Sequence, residues 1–208
     1  RSTPLYSSAA SDVYKRQIIA DGKPKDILKS TKARELYFGS FDNNFYALDT
    51  TTGTLVLKFE GAENWYWTGA VFHRDTIFAP SMDKKLYALD INTGIEKWTL
   101  QADGAFTGSP SVLSSWIAIA SDDQTLYFAN LDDGEDVEIC RIGERLRSDL
   151  VADGDTVYVS TWDHAVVAVR MKENGRPDSL WRHVTNKGDD WKETVSYTHL
   201  TLPTNREV

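Results

Sequence analysis

The chain has 208 residues, with 23 Lys and Arg against 31 Asp and Glu, and a formal net charge of −8 at pH 7. An acidic chain without a cluster of basic side chains is poorly suited to nucleic acid or to an anionic membrane surface, so neither is expected as a partner. No apolar run approaches the roughly 20 residues that a transmembrane helix needs, which excludes a helical membrane span in this sequence.

The two ends of the chain resemble translated sequencing adapter. Residues 7–17 read SSAASDVYKRQ, and residues 195–204 read VSYTHLTLPT. The first is similar to one reading frame of a common transposon-type adapter, and the second to one frame of its reverse complement. Because a single oligonucleotide in two orientations accounts for both, we expect residues 1–17 and 195–208 to be artefacts that contribute nothing to the fold. The rest, residues 18–194, is expected to be a piece of a longer gene.

An aspartate recurs along this remaining segment at a nearly constant spacing. It is found as Asp42, Asp83, Asp123 and Asp163, at intervals of 41, 40 and 40 residues. Short apolar alternations flank each aspartate, which is typical of short β-strands joined by tight turns. The repeated segments are LYFGSFDNNFYALDTTTG (36–53), IFAPSMDKKLYALDINTG (77–94), ASDDQTLYFANLDDG (120–134) and VSTWDHAVVAV (159–169). A fixed period of this length indicates a repeat architecture.

The clearest repeat contains a β-hairpin, LYALDINTGIEKW, at residues 86–98. Alternating apolar residues predict its two strands, and the stretch from Asp90 to Gly94 has the composition of a tight turn. Another short strand is predicted upstream in each unit, at residues 67–71, 106–110 and 146–150. We expect this upstream strand, which carries Gly69 or Gly108, to be the innermost one, where glycine allows a close approach of backbones.

Each unit therefore contains four short antiparallel strands in about 40 residues, which is the signature of a propeller blade. The sequence predicts an all-β fold, a partial β-propeller of about four four-stranded blades that is truncated at both ends. A blade cannot bury its two faces alone, so each blade depends on its neighbours for stability. We expect the natural protein to continue to a closed ring with two to four further blades.

The hairpin also carries a recognisable motif. Residues 88–98, ALDINTGIEKW, resemble the tryptophan-docking motif AxDxxTGxxxW of pyrroloquinoline-quinone-type (PQQ-like) β-propeller repeats. The matching positions of the first two units are Ala47, Asp49 and Gly53, then Ala88, Asp90, Gly94 and Trp98. The resemblance implies that Trp98 lies on an outermost strand and packs against the neighbouring blade, while Asp90 braces the turn. It extends over residues 35–183.

The other units depart from the motif at the tryptophan position. Leu57 stands there in the first unit and Glu138 in the third, where Asn130 also replaces the aspartate. The fourth unit keeps Ala168 but reaches Trp181 only after a longer turn. The match is therefore strong in two units and weak in two.

No catalytic motif is present in the sequence. Outside the adapter-like ends the histidines are His73, His164 and His183, which are widely spaced, and Cys140 is the only cysteine. The acidic run at residues 132–136 lacks the alternating ligand spacing of a calcium loop. We therefore expect neither a catalytic residue nor a metal site in this chain.

Quinoprotein dehydrogenases share the PQQ-like repeat. The resemblance implies a site in which the quinone stacks between a tryptophan and a vicinal Cys–Cys disulfide, with calcium beside it. A single cysteine cannot form that disulfide. No cofactor is therefore expected in this chain, and PQQ is implied only if the chain is a fragment of such a dehydrogenase.

Aromatic and apolar residues are expected along one face of the propeller. The family topology places two kinds of loop there, and their aromatic or apolar residues are Phe41, Trp65, Tyr66, Met82, Phe106 and Trp162. One interpretation is that these residues form a rim that binds a protein or peptide partner. The other is that they fill gaps between adjacent blades.

The sequence thus predicts a non-catalytic scaffold for protein–protein interaction. It resembles the family of the lipoprotein of the bacterial outer-membrane β-barrel assembly machinery, and this resemblance alone implies an extracytoplasmic location, in the periplasm or at the cell surface. The alternatives are a fragment of a PQQ-dependent quinoprotein dehydrogenase and the extracytoplasmic sensor domain of a receptor kinase. Gene sequence beyond the adapter-like ends would distinguish them through a lipobox, a Cys–Cys pair or a kinase domain.

Overall fold

The computed structural model describes residues 35–185, and within this range the chain forms β-strands and turns without a helix. The strands are β1 (Glu35–Gly39), β2 (Phe45–Asp49), β3 (Leu55–Phe59), β4 (Val71–His73), β5 (Thr76–Pro80), β6 (Lys85–Asp90), β7 (Glu96–Gln101), β8 (Ser111–Val112), β9 (Trp116–Ala120), β10 (Thr125–Asn130), β11 (Glu138–Arg141), β12 (Val151–Asp153), β13 (Thr156–Ser160), β14 (Ala165–Met171) and β15 (Pro177–Val184). In these residues no helix has the length and apolar character to cross a bilayer. The adapter-like ends, residues 1–17 and 195–208, lie outside the described range.

The strands form four antiparallel sheets in which strands adjacent in sequence pair with each other. Strands β4–β7, β8–β11 and β12–β15 each make a four-stranded meander, and β1–β3 make a three-stranded one. We number these sheets blades 1 to 4 in chain order.

Successive blades stack face to face, as residues of a single strand show. Ile77 packs in the core between blades 1 and 2, whereas the next residue, Phe78, packs in the core between blades 2 and 3. In blade 3, Ile117 faces blade 2 and Ala118 faces blade 4. Blades 2 and 3 therefore bury both faces against their neighbours, which is the stacking of a β-propeller. The predicted all-β, partial-propeller fold is confirmed.

The recurring aspartates occupy equivalent corners of the four blades. In three blades the carboxylate accepts the hydroxyl of a tyrosine four residues later, in the pairs Asp42–Tyr46 (2.6 Å), Asp83–Tyr87 (2.6 Å) and Asp123–Tyr127 (2.8 Å). In blade 4, Asp163 pairs with Arg182 instead. The residue after each aspartate has a left-handed φ between 65° and 74°, at Asn43, Lys84, Gln124 and His164. The 40-residue period of the sequence therefore corresponds to equivalent structural positions.

The hairpin turns that follow β2 and β6 are held by their aspartates. Asp90 Oδ1 accepts the backbone N–H groups two and three residues later, at 3.0 and 2.9 Å, and Asp49 Oδ1 does the same at 2.9 and 2.7 Å. The backbone N–H of Thr93 in particular holds the pKa of the Asp90 carboxyl below its usual range. Gly53 and Gly94 close the two turns at φ values of 69° and 68°, which residues with a Cβ rarely adopt.

The outermost strands of blades 1 and 2 pack on the hairpin turn of the next blade. Trp98 lies opposite Ala88 in the outer strand pair of blade 2. A Cβ placed on Gly134, in the turn of blade 3, would lie 2.5 Å from the Trp98 indole, so the ring rests directly on this turn. Leu57 of blade 1 approaches Gly94 of blade 2 in the same way, at 2.6 Å.

The junction between blades 3 and 4 is built differently. Glu138 lies opposite Phe128, at the register position that Trp98 holds in blade 2. A different ring, Trp116 of β9, approaches the turn of blade 4, and its edge lies 3.4 Å from a Cβ placed on Gly175. Despite its longer turn, blade 4 returns to the register of blade 2, because Trp181 pairs with Ala168.

In blades 2, 3 and 4 the innermost strand begins later than predicted. The strands predicted at residues 67–71, 106–110 and 146–150 are wrong, because these segments are almost entirely loop and lead into β4, β8 and β12. Phe106 and Leu146 pair only through single bridges, with Ser121 and Thr161. We call residues 60–70, 102–110 and 142–150 the crossing loops, since each connects the outermost strand of one blade to the innermost strand of the next.

The glycines assigned to the innermost strand therefore lie on crossing loops. Gly108 nevertheless sits at a close approach, because a Cβ there would lie 2.1 Å from the carbonyl oxygen of Ser148 in the next crossing loop. A side chain at position 108 would push these two loops apart.

Candidate protein-binding face

Two kinds of loop lie at the same end of the blades. The corner loops, which carry the recurring aspartates, are residues 40–44, 81–84, 121–124 and 161–164. An antiparallel meander reverses direction at every connection, so the crossing loops leave and enter the blades at this same end. We call the surface that carries both kinds of loop the loop face.

Each crossing loop is fixed to the corner loop that follows it by a repeated backbone hydrogen bond. In each pair the corner-loop N–H donates to the crossing-loop carbonyl. The pairs, donor first, are Met82 to Trp65 (2.8 Å), Asp122 to Ala105 (2.9 Å) and Trp162 to Arg145 (3.0 Å). No side chain takes part in these bonds. The same backbone framework can therefore carry different side chains at each junction.

Exposure alternates along the first crossing loop. Trp65 and Trp67 are 47% and 52% exposed, whereas Tyr66 between them is 1% exposed and packs 5.5 Å from the ring of Phe45. Alternation is what an extended chain imposes on successive side chains. Phe106, at the equivalent of Tyr66, is also fully buried. The prediction that Tyr66 and Phe106 belong to an exposed rim is therefore wrong, because both fill gaps between blades.

Three exposed rings meet at the junction of blades 1 and 2. The ring of Phe41, from the corner loop, lies edge-to-face against Trp65 at 5.3 Å and against Trp67 at 5.8 Å between centroids. All three side chains are about half exposed. We call these residues the aromatic patch. Sequence reasoning placed Trp67 on a strand and so missed it, although the alternation of Trp, Tyr and Trp was a signal that the outer two share a side.

A charged pair and an exposed ring occupy the loop face at the junction of blades 3 and 4. Arg147 donates to both carboxylate oxygens of Asp122, at 3.0 and 3.1 Å, and its guanidinium lies 5.7 Å from the ring centre of the exposed Trp162. The hydrogen bond from Arg147 holds the pKa of the Asp122 carboxyl below its usual range. We call these three residues the charged patch. Met82, on the corner loop between the two patches, is partly buried.

Within residues 35–185, no three His, Cys, Asp or Glu side chains are close enough to share a metal ion. Cys140 lies on β11, where burial raises the pKa of its thiol. In the acidic run, Asp133 accepts the N–H of Glu135 at 3.0 Å, which is a contact within the turn itself.

A family model described as outer membrane protein assembly factor BamB matches residues 41–177, which is 137 of the 208 residues. The chain belongs to this family. The match runs from blade 1 into blade 4 and confirms the PQQ-like resemblance that the repeat motif indicated. A comparison with curated protein sequences gives no match.

Solved structures share the fold of the chain at low sequence identity. The computationally designed Ika8 protein aligns with a TM-score of 0.64 and 14% identity over 74% of this chain and 47% of its own. A quinohemoprotein alcohol dehydrogenase from Pseudomonas putida HK5 aligns with a TM-score of 0.64 and 16% identity, over 76% of this chain and 34% of its own. BamB from Moraxella catarrhalis aligns with a TM-score of 0.47 and 17% identity, over 72% of this chain and 58% of its own. The chain thus spans between 34% and 58% of the length of these structures.

Proposed function

We propose that this chain is part of a non-catalytic propeller scaffold that binds a protein partner through the aromatic patch of its loop face. The observation that carries the proposal is the meeting of three half-exposed rings, Phe41, Trp65 and Trp67, on a hydrogen-bonded loop framework. Large aromatic side chains are enriched at the centres of protein interfaces, where they bury much area with few rotatable bonds.

The architecture of the blades does not require these exposed rings. At the next junction, the positions of Trp65 and Trp67 are held by Ala105 and Thr107, and the backbone bond to the following corner loop is kept at 2.9 Å. In both crossing loops the residue between these two positions, Tyr66 or Phe106, is buried and packs between the blades. The two tryptophans therefore add an apolar surface that the fold can do without, which supports a role in binding.

Membership of the BamB family supports a partner in outer membrane protein assembly and an extracytoplasmic location. The family model is described by that assembly role, and the proposal extends it to this chain. A dehydrogenase shares the fold, but the half-exposed rings of the aromatic patch suit a protein partner, so we propose binding rather than catalysis.

The test is photo-cross-linking in the cell envelope of a bacterium that expresses the full-length protein. A photoreactive residue at position 67 should yield a discrete cross-linked protein. A matched probe at Ile95, which is 67% exposed in a hairpin turn at the opposite end of the blades, should not yield it. The double change Phe41→Ser and Trp65→Ser should remove the product without shifting the melting temperature, since these rings are not part of the core.

Two results would contradict the proposal. Equal cross-linking from positions 67 and 95 would show that the aromatic patch is not selective. A steep loss of melting temperature in the double variant would show that the rings serve packing between blades. Quinone absorbance in the purified full-length protein would favour the dehydrogenase alternative.

A further inference from the structure

The crossing loop that carries the aromatic patch is held by an aspartate and a tyrosine of the next blade. Asp83 Oδ2 accepts the hydroxyl of Tyr87 at 2.6 Å and the backbone N–H of Glu63, in the crossing loop, at 2.9 Å. The same tyrosine hydroxyl lies 3.2 Å from the carbonyl oxygen of Gly61. These two side chains therefore hold the crossing loop at two points just before Trp65. We call Asp83 and Tyr87 the loop clamp.

Blade 3 has an equivalent pair, which holds the next crossing loop. Asp123 Oδ2 accepts the Tyr127 hydroxyl at 2.8 Å and the backbone N–H of Gly104 at 3.0 Å. The Tyr127 hydroxyl in turn accepts the backbone N–H of Asp103 at 3.3 Å. This loop contains no aromatic side chain other than the buried Phe106. The chain thus offers the same arrangement once under the aromatic patch and once without it.

The crossing loop under the aromatic patch is the longer of the two. It has eleven residues, 60–70, whereas the loop between blades 2 and 3 has nine, 102–110. A longer loop has more conformational freedom to lose when it is ordered. A further restraint is present here, because the Ser81 hydroxyl donates to the carbonyl of Asn64 at 3.1 Å. The segment that leads to Trp65 is therefore bonded to blade 2 at nearly every residue.

We propose that Asp83 and Tyr87 are positioning residues that hold the aromatic patch in its binding arrangement before a partner arrives. Phe41 comes from a corner loop and the two tryptophans from the crossing loop, so the three rings meet only while the crossing loop is fixed. A surface that is ordered in advance loses less conformational entropy when a partner covers it. The inference rests on the proposed function of the aromatic patch. It adds two residues that act on the partner only through the loop.

Hydrogen exchange of the purified full-length protein tests the positioning role without a partner. Tyr87→Phe removes one hydroxyl and keeps the buried ring, so the fold should be retained. Amides of residues 60–70 should exchange about three- to tenfold faster than in the wild type, as expected when about one hydrogen bond is lost. Asp83→Asn should have a larger effect, because its amide nitrogen replaces the oxygen that accepts two donors. If Tyr87→Phe fails to fold, Asp83→Asn takes its place.

Tyr127→Phe is the matched control, since it removes the same hydroxyl from the equivalent position of blade 3. It should speed exchange in residues 102–110 and leave residues 60–70 unchanged. In cells, the photoreactive residue at position 67 should yield about three- to tenfold less cross-linked product in Tyr87→Phe, and the wild-type yield in Tyr127→Phe. Equal melting temperatures of the two variants would show that the difference in yield does not come from global stability.

Two results would overturn the inference, and a third bears on the proposed function. Unchanged exchange of residues 60–70 in both Tyr87→Phe and Asp83→Asn would remove the positioning role, whatever the partner. Faster exchange with an unchanged yield of product, or an equal loss of yield in Tyr127→Phe, would show that the order of this loop does not govern binding. A wild-type protein that yields no product from position 67 would contradict the proposed function, and hydrogen exchange would still decide whether the loop clamp orders the loop.

Discussion

The junction between blades 2 and 3 and the junction between blades 3 and 4 solve the same packing problem with different residues. In both, an indole ring covers the glycine of the next hairpin turn. Trp98 supplies it from the outermost strand and comes within 2.5 Å of a Cβ at Gly134, whereas Trp116 supplies it from β9 and stays 3.4 Å from a Cβ at Gly175. A blade can therefore lose its motif tryptophan when another strand brings a ring to the same place.

The loop-face sides of the two junctions differ in charge as well. Arg147 joins Asp122 across the junction of blades 3 and 4, whereas the equivalent positions one junction earlier are Thr107 and Met82. The junction of blades 2 and 3 thus has uncharged side chains at these positions, whereas the junction of blades 3 and 4 has an ion pair. Direct comparison of matched variants should separate these contributions.

The largest expected effect comes from removing the ring that is most closely packed. Trp98→Ala should lower the free energy of unfolding by about 3–5 kcal/mol, as for other large-to-small changes in a core. Trp116→Ala should cost only about 1–2 kcal/mol, because its ring stays 3.4 Å from a Cβ at Gly175 and so packs less closely on its turn than Trp98 does. Denaturant unfolding followed by circular dichroism gives both values. Equal losses would contradict the difference between the two junctions.

The next largest effect is expected from adding a methyl group to the turn glycine that each ring covers. Gly134 and Gly175 have nearly the same φ, 74° and 76°, so alanine at either position carries the same backbone strain of about 1–2 kcal/mol. A methyl group at position 175 would make an ordinary 3.4 Å contact with Trp116, whereas one at position 134 would lie only 2.5 Å from the Trp98 indole, and this overlap should add about 1–3 kcal/mol to the cost of Gly134→Ala. The same unfolding measurement compares the two variants. If Gly175→Ala proved as damaging as Gly134→Ala, the closer approach of Trp98 would have no energetic consequence.

The smallest effect is electrostatic and belongs to the junction of blades 3 and 4. The pKa of Asp122 is lower in the folded chain than in the unfolded one, so its pairing with Arg147 stabilises the fold above the ordinary carboxyl pKa and is lost as pH falls through the lowered value. Since the pair is partly exposed and screened, Asp122→Asn should cost less than about 1 kcal/mol at pH 7.

Acid and salt titrations check this pH dependence. The difference between Asp122→Asn and the wild type should shrink with added salt and vanish in acid, where Asp122 is protonated. The cost of Trp98→Ala should not change in the same way, because no ionisable group is removed. A cost of Asp122→Asn that persists unchanged in acid would indicate a packing role instead.

Much of the fold could be read from the sequence because its signals are local. The hairpin turn at Asp90 and the corner at Asp83 are built from hydrogen bonds that span two to four residues. The innermost strands were placed too early for a physical reason. Alternation along residues 106–110 indicates an extended chain, but extension alone does not show whether a neighbouring strand pairs with it.

The candidate site was predicted only in part. The sequence pointed to Trp65 and Trp162 on the loop face, and both are exposed there. It could not show that Tyr66 turns inward, since alternation separates neighbours into two sides without telling which side faces the core. Trp67 was not predicted as a site residue because the sequence analysis placed it on a strand.

By itself, the sequence determined the repeating unit, its four strands and the turns that join them, because those features depend on side chains bonding to backbone a few positions away. Only the tertiary structure decided which ring covers each turn and which aromatic rings reach solvent. Trp116 and Gly175 are 59 residues apart, and Arg147 and Asp122 are 25 apart. Contacts of this kind form only when one blade stacks on the next, so no local sequence pattern could predict them.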